Sequence, residues 1–243
     1  MNERSDNPHA FPPTQWSLIL SAQANESEIR ARALEQICSR YWHPVYAYAR
    51  GRGLKPPDAQ DLTQGFFAHL LSTGGLRSVS EAKGKLRSFL LVAVRNFLTN
   101  EWIKMNRQRR GGGATVLSFD WEDAEKRTAL EPVDHVTPEV IFERHWALTL
   151  LRAAMERLES YYREKNKERL FDQIGGFLDS REGMPSSREL GEALDMSPAA
   201  VDQAVYEMRK RYRGILLREV AATLEEGERA EDELRYLLGV FGG

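Results

Sequence analysis

Residues Ser187–Arg213, with the sequence SRELGEALDMSPAAVDQAVYEMRKRYR, predict a short helix, a tight turn and a longer second helix that ends in a cationic run. Leu190 and Leu194 make an i, i+4 apolar pair on the first helix. Ser197 is placed to cap the second helix, and Pro198 takes its first position, where the missing N–H costs no hydrogen bond. The stretch is therefore typical of a helix-turn-helix unit.

The second helix of this unit has two distinct faces. Apolar side chains at helical spacing define a buried stripe: Val201, Val205, Met208 and Tyr212. The opposite face and its flanks offer small, polar, aromatic and cationic side chains for DNA contact: Ala199, Gln203, Tyr206, Arg209, Lys210, Arg211 and Arg213. Gln203 lies early in the helix and is suited to pair with adenine. A helical hairpin with a solvated charged face is the alternative interpretation.

The charge of the chain is unevenly distributed. The net charge of the 243 residues is only −2, which argues against a uniformly basic DNA-coating protein. Residues 81–110 hold eight Lys or Arg and two Glu, residues 111–140 hold seven acids and two bases, and residues 208–218 hold five bases and no acid. Blocks of opposite sign predict separate surfaces with separate partners.

Several functional classes find no support in the residue pattern. The single cysteine, Cys38, excludes an intrachain disulfide framework and is predicted to be a small core residue. The histidines form no helical pair, so zinc is not expected, and His43 and His69 are interpreted as surface or packing residues. Gly111–Gly113 lacks the spacing and the Lys-Ser/Thr of a phosphate loop. We therefore expect no metal, no cofactor and no enzymatic activity.

The chain carries no sign of a membrane segment or an export signal. No apolar run has the length of a membrane span, and the first residues lack the apolar core of a signal peptide. We therefore expect a cytoplasmic protein with no membrane insertion.

Helical periodicity predominates along the chain, and no clean strand run interrupts it. The predicted fold is all-α, with two helical domains joined by an acidic flexible linker. Helices are predicted over 28–50, 59–71 and 86–108, and then over 141–162 and 170–178 before the helix-turn-helix. The predicted segments are a flexible leader (1–13), a first domain (14–110), the acidic linker (111–137), a second domain (138–218) and an acidic tail (219–243).

Residues Asp58–Phe67, DAQDLTQGFF, predict a helix that Asp58 caps. The outer surface of this helix is acidic. Leu62, Phe66 and Leu70 point inward by their spacing. The outer strip that remains is Asp58, Asp61, Gln64 and Gly65. This strip is either a docking face for a basic partner surface or a simple complement to the helix dipole.

The next helix is strongly basic. Its inner face is predicted from apolar spacing to be Phe89, Val92, Ala93 and Phe97. Its cationic and amide side chains are Lys83, Lys85, Arg87, Arg95, Asn96, Asn100, Lys104 and Arg107, with Trp102 among them. Cations attract phosphates, and amides and an aromatic ring bind or stack on unpaired bases. A solvated face with Trp102 in the core is the alternative.

Four motifs, taken in order and with their spacing, resemble an extracytoplasmic-function (ECF) type sigma factor of bacterial RNA polymerase, in the sigma-70 family. They are DAQDLTQGFF, GKLRSFLLVAVRNFLTNEWIKMNRQRRGGG, FERHWALTLL and the helix-turn-helix. The resemblance covers residues 14–236, which is nearly the whole chain.

The resemblance implies a role for each region. The residues that would dock on the clamp coiled coil of the largest subunit of core RNA polymerase are Asp58, Asp61, Leu62 and Gln64. Lys83–Arg110 would open and hold the −10 promoter element, and Ser187–Arg213 would read the −35 element. The acidic linker would thread the polymerase channel that RNA uses. An anti-sigma factor is a further candidate partner.

Two other functions are compatible with the residue pattern. A conventional helix-turn-helix regulator would use residues 14–110 for ligand binding or dimerisation and would bind DNA without polymerase. A pure protein-binding module, such as a decoy for an anti-sigma factor, is the third. Asp202 and Glu207 depart from the basic character that is frequent in this helix of the family, and we expect both to repel phosphates.

Overall fold

The structure is a computed structural model in which residues 27–72, 85–102, 120–121, 125, 136–178, 183–224 and 227–242 are described. No strand occurs in these ranges, which confirms the all-α prediction. The helices are α1 (Ser27–Gly51), α2 (Pro56–Ser72), α3 (Leu86–Phe97) with a π-helical turn (Leu98–Trp102), α4 (Pro138–Glu164), α5 (Glu168–Ile174) with a 3-10 turn (Gly175–Leu178), α6 (Ser187–Leu194), α7 (Pro198–Ala221) and α8 (Ala230–Gly239).

The chain divides into two compact units. Unit 1 consists of Met1–Trp146 and Ala222–Glu228, and unit 2 consists of Ala147–Ala221 and Arg229–Gly243. The division falls inside α4, so this helix contributes residues to both units. The predicted leader and most of the predicted linker lie outside the described residues, and the predicted domain boundaries stay predictions.

Within unit 1, α1 packs against α2 and against the first turns of α4. Tyr41 stacks on Trp146 with ring centroids 4.5 Å apart, and both rings are fully buried. Aromatic side chains of this kind each bury about 150–250 Å², so they dominate the energy of the core. At the end of α1, a Cβ on Gly51 would lie 2.8 Å from Ile141 Cδ1. Glycine therefore lets the start of α4 approach α1 closely.

Helix α3 buries a different stripe from the predicted one. Its buried apolar side chains are Leu86, Leu90, Val94 and Phe97. Val92, predicted to face inward, is 45% exposed, and Phe89 and Ala93 are half-buried. Two apolar stripes run side by side on this helix, and spacing alone does not decide between them. Of the four residues predicted to form the inner face, only Phe97 is buried.

Two helix boundaries near the predicted polymerase site also differ from the prediction. Helix α2 begins at Pro56 rather than Ala59, because proline suits a first turn that needs no N–H donor. Asp58 therefore lies in the first turn and is not the cap. The regular part of α3 ends at Phe97, and the predicted continuation over 103–108 lies outside the described residues.

The start of α4 agrees with the prediction. The Val140 backbone N–H donates to Thr137 Oγ1 at 3.3 Å, which caps the helix just before Pro138 at its first position. Further along, a seven-residue helix followed by a 3-10 turn replaces the single helix predicted over 170–178.

Unit 2 is built around α4 and α7. The predicted apolar residues of both helices are buried, among them Leu150, Leu158, Val201, Val205 and Met208. Helix α8 packs on α7, and Leu237 faces Leu150, Leu216 and Val220 around a small apolar cavity. The residues predicted as an acidic tail thus take part in the core. Glu219 is only 2% exposed and forms an ion pair with Arg157, whose Nε lies 2.7 Å from Glu219 Oε1.

Cys38, His43 and His69 are packing residues, as predicted. Burial, reinforced by the charge of Glu35, raises the pKa of the Cys38 thiol to about 12. His43 is buried against His145, with their Nδ1 atoms 3.2 Å apart. No group of three or more potential metal ligands occurs in the part of the chain that the structure describes. Among the described helices, none has the length and hydropathy to cross a membrane.

Candidate nucleic-acid interface

The turn between α6 and α7 depends on one close approach. The Met196 backbone N–H donates to the Gly191 carbonyl at 2.9 Å, which folds the turn back onto α6. A Cβ on Gly191 would lie 2.6 Å from the Met196 carbonyl oxygen, so only glycine fits there. Asp195 adopts a left-handed conformation (φ 55°), which aspartate tolerates better than most residues. These constraints set the angle at which α7 leaves α6.

Both helices of the motif begin with a side-chain cap. At α6, the Glu189 backbone N–H donates to Ser186 Oγ, and the Ser186 N–H donates back to Glu189 Oε2 at 2.7 Å. The backbone and hydroxyl hydrogen bonds from Ser186 hold the pKa of the Glu189 carboxyl below its usual value. At α7, Ser197 Oγ accepts the Ala200 N–H at 3.2 Å, as predicted. Caps of this type contribute roughly 1 kcal/mol each.

Helix α7 presents the predicted polar face to solvent. Ala199, Gln203, Tyr206 and Lys210 are all exposed, and we call these four residues the recognition face. Tyr206 is 60% exposed, which is unusual for a large aromatic side chain. An exposed ring among polar groups has an apolar body and a hydroxyl with which to contact a partner. The geometry of α7 thus separates a buried apolar stripe from an exposed face of small, polar and aromatic side chains.

The arginines beside this face are partly engaged within unit 2. Arg209 Nη2 donates to the Phe177 carbonyl at 2.9 Å. The Arg211 guanidinium lies over the Tyr161 ring, 3.7 Å from its centroid. Both arginines remain exposed, so they fasten α7 while keeping charge at the surface. Arg213 is also exposed.

The two acids of α7 that were expected to repel phosphates both accept hydrogen bonds from neutral side chains. Asp202 accepts one from the Ser187 hydroxyl at the start of α6. Glu207 Oε1 accepts one from Gln203 Nε2 at 3.0 Å. Each carboxylate is therefore oriented by a partner within the motif.

The first two cations of the basic helix turn inward in unit 1. Arg87 is buried and forms an ion pair with Glu143 of α4. Lys85 Nζ lies 3.1 Å from Glu228 Oε1, and both side chains are about two-thirds buried. The Leu86 N–H nearby donates to the Thr223 carbonyl at 3.3 Å. Arg87 is therefore not at the surface, contrary to the prediction that it lines a DNA face, because the shifted stripe of α3 turns it towards Glu143. Lys85 is half-buried beside Glu228.

The later part of the basic helix keeps its polar side chains at the surface. Arg95, Asn96 and Asn100 are exposed. Asn100 lies in the π-helical turn, where Thr99 Oγ1 also donates to the Arg95 carbonyl at 2.9 Å. Lys83, Lys104, Arg107 and the Trp102 side chain lie outside the described part of the structure.

The acidic strip of α2 is narrower than predicted. Asp58 and Asp61 are exposed and Gln64 is half-buried. Gly65 is buried, contrary to the prediction, and Leu62 is fully buried as its spacing indicated. Leu62 therefore supports the helix from inside, and the surface that a partner can reach consists of the two aspartates and Gln64.

One structural contact was missed by sequence reasoning. Trp121, in the predicted linker, packs edge-on against Trp42 of α1 with ring centroids 5.2 Å apart. Glu125 accepts two hydrogen bonds from Arg50, at 2.9 and 3.1 Å, and one from the Tyr46 hydroxyl. We call the contact of Trp121 and Glu125 with α1 the linker clasp. Its only signal in the sequence is an indole and a carboxylate four residues apart, which suits one face of a helical turn.

The clasp shifts the acidity of both polar partners. Burial of Glu125 opposes its charge, but the hydrogen bonds from Tyr46 and Arg50 outweigh that effect and hold the pKa of Glu125 below its usual value. Burial, together with the bond to the Glu125 carboxylate, raises the pKa of the Tyr46 hydroxyl. The clasp is therefore strongest when Glu125 is ionised and Tyr46 is protonated, which is the state at neutral pH.

Comparisons of the chain with protein-family models, with curated proteins and with solved structures find no match in any of the three.

Proposed function

We propose that the protein is a bacterial transcription initiation factor of the sigma type, which binds core RNA polymerase and directs it to a specific promoter class. The observation that carries the proposal is the combination in one chain of an exposed aspartate pair on α2 with the recognition face of a capped helix-turn-helix. Such a factor catalyses no bond chemistry. It stabilises the melted promoter relative to the duplex and so shifts the opening equilibrium.

The α2 surface supports the polymerase-binding part of the proposal. Asp58 and Asp61 are three residues apart on one face of α2 and are both exposed. Carboxylates in this arrangement complement a basic partner surface. Such charge complementarity contributes more to the orientation of docking than to the binding affinity. In this proposal Gln64, half-buried beside them, adds a hydrogen-bonding group at the edge of the contact.

In this proposal α7 and the exposed end of α3 bind different promoter elements. The recognition face of α7 enters the major groove at the −35 element, where Lys210 of this face and the neighbouring Arg213 contact phosphates. Arg95, Asn96 and Asn100 hold the opened −10 element, because exposed amides bond to unpaired bases and a cation binds their phosphates. Lys85 and Arg87 have no part in this contact, because they pair with acids in unit 1.

A helix-turn-helix regulator that acts without core polymerase is the second candidate. One observation favours it: the motif lies in a compact unit with its own apolar core, formed by α4, α7 and α8. A unit of this kind can present its recognition helix to DNA by itself, and a dimer would then read two half-sites.

A gel shift with and without core polymerase distinguishes the two candidates. The sigma proposal expects specific retention of promoter fragments only when core polymerase is present. Tight, specific retention by the protein alone, unchanged by core polymerase, would replace the proposal with the regulator.

A docking variant tests the α2 surface directly. Asp61→Arg combined with Gln64→Ala should abolish capture of core polymerase in a pull-down, because it replaces attraction by repulsion at a surface position. Circular dichroism should show an unchanged helix content. Asp172→Arg, at an exposed position of α5, is the charge-matched control and should bind core polymerase normally.

A further inference from the structure

Glu207 is one helical turn after Gln203 and holds its amide group. Gln203 Nε2 lies 3.0 Å from Glu207 Oε1, and both residues are exposed on α7. A carboxylate only accepts hydrogen bonds, so the amide nitrogen must be the atom that points at Glu207. The pairing therefore fixes which way the Gln203 amide faces, and Gln203 Oε1 points away from the carboxylate.

This orientation leaves Gln203 with one free N–H and one carbonyl oxygen. In the major groove, adenine presents an acceptor at N7 beside a donor at N6, whereas guanine presents two acceptors at N7 and O6. One donor beside one acceptor matches the adenine edge. Two donors would be needed for guanine, and the second N–H of Gln203 is already used by Glu207.

We infer that Glu207 is a positioning residue that makes Gln203 select adenine over guanine. The inference rests on the proposed DNA-binding role of α7, and it holds whether or not core polymerase is required. It also gives Glu207 a role other than repelling phosphates. Ala199, one turn before Gln203, is small and leaves the base-facing side of the amide open.

Neighbouring residues set the strength of this pair. In water an i, i+4 side-chain hydrogen bond on a helix is weak, because both groups are well solvated. In a groove the pair loses water, and an unpaired carboxylate there would be costly, so the bond to Gln203 becomes more favourable. Lys210, three residues after Glu207, adds a cation on the same side of the helix. The pair is thus expected to persist when DNA is bound.

Selection from a random duplex library tests the inference with the full-length protein, alone and with core polymerase. Gln203→Ala first identifies the base position that Gln203 reads, as the one where preference is lost. At that position the natural sequence should favour adenine over guanine by on the order of tenfold. Glu207→Ala should reduce the adenine-to-guanine ratio several-fold towards one. Glu207→Gln should retain the ratio, since its carbonyl oxygen accepts the same bond without the charge.

Asp202→Ala is the matched control, because it removes one acid from the same helix without touching Gln203. It should leave the adenine-to-guanine ratio unchanged. An equal change of overall affinity in Glu207→Ala and Asp202→Ala, with no change of the ratio in either, would overturn the inference and leave a simple charge effect. A Gln203→Ala protein with unaltered preference at every position would also overturn it. No sequence enrichment by the natural protein in either arm would overturn the proposed function as well.

Discussion

Helices α3 and α7 both carry cations beside an apolar stripe, but their cations take different positions. At the start of α3, Lys85 and Arg87 turn inward and pair with acids. On α7, Lys210 and Arg213 stay at the surface, and Arg209 and Arg211 touch carbonyl or aromatic groups while remaining exposed. The comparison shows that a basic run supplies exposed cations only where its residues lie off the buried stripe.

The first test compares two arginines of α3. Arg87→Met should lower the free energy of unfolding by about 3–5 kcal/mol, because it leaves the Glu143 carboxylate without its buried partner. Arg95→Met, at an exposed position of the same helix, should change it by no more than about 0.5 kcal/mol. Chemical denaturation of the two variants measures the difference. Equal stability of the two variants would contradict the buried ion pair of Arg87 with Glu143.

A second variant sharpens this test. Arg87→Met combined with Glu143→Leu replaces the pair by apolar groups and should recover most of the lost stability, since a buried ion pair costs desolvation on both sides.

The same contrast exists between the two faces of α7. Met208→Ala should lower the free energy of unfolding by about 2–5 kcal/mol, because it opens a cavity in the core of unit 2. Tyr206→Ala should cost less than about 0.5 kcal/mol but weaken DNA retention, since the ring is largely exposed. Thermal unfolding and a gel shift with core polymerase measure the two effects. A large loss of stability in Tyr206→Ala would place the recognition face in the core instead.

The third prediction concerns the exposed half of the basic helix. Arg95→Ala should slow promoter opening, and the defect should shrink on a pre-melted template because the contact is made to opened DNA. The slope of log affinity against log salt should fall by about one unit for the lost phosphate contact. Equal defects on duplex and pre-melted templates would assign Arg95 to docking.

The smallest expected effect is at the linker clasp. Because the pKa of Glu125 is lowered in the folded state, its ionisation contributes stability above the usual glutamate pKa, and that contribution is lost as pH falls through the folded pKa. Glu125→Gln should therefore destabilise by less than about 1 kcal/mol at pH 7, since the side chains of Arg50 and Glu125 are 26% and 34% exposed. The difference from the natural protein should begin to shrink as the pH falls to the usual glutamate pKa of about 4, and it should vanish below the lowered pKa of Glu125. A pH-independent difference in denaturant midpoint would show that Glu125 acts by packing alone.

The fold and the helix-turn-helix were predictable because their signals are local. Each of these signals depends on residues within a few helical turns. They are the caps at Ser197 and Thr137, proline at the first helical position, and the buried stripe of Val201, Val205 and Met208. These features appear in the structure where the sequence predicted them.

What the sequence did not reveal depends on contacts between distant segments. The partners of Arg87 and Lys85 lie 56 and 143 residues away in the sequence, and the partners of Trp121 lie about 80 residues away. Helical periodicity reports only on neighbouring turns, so it does not predict these contacts. The prediction of the inner face of α3 was wrong for a related reason. Two apolar stripes compete on that helix, and packing against the rest of unit 1 chooses between them. Which faces of α2 and α3 a partner can reach was therefore only partly predictable.

Transcription from a random promoter library with purified core RNA polymerase tests the central proposal most directly. The proposal predicts transcripts from a restricted set of sequences when the protein is added, and none of these when core polymerase acts alone or with the Asp61→Arg, Gln64→Ala variant. Addition of the protein without any new promoter-specific transcript, while it still binds specific DNA by itself, would contradict it.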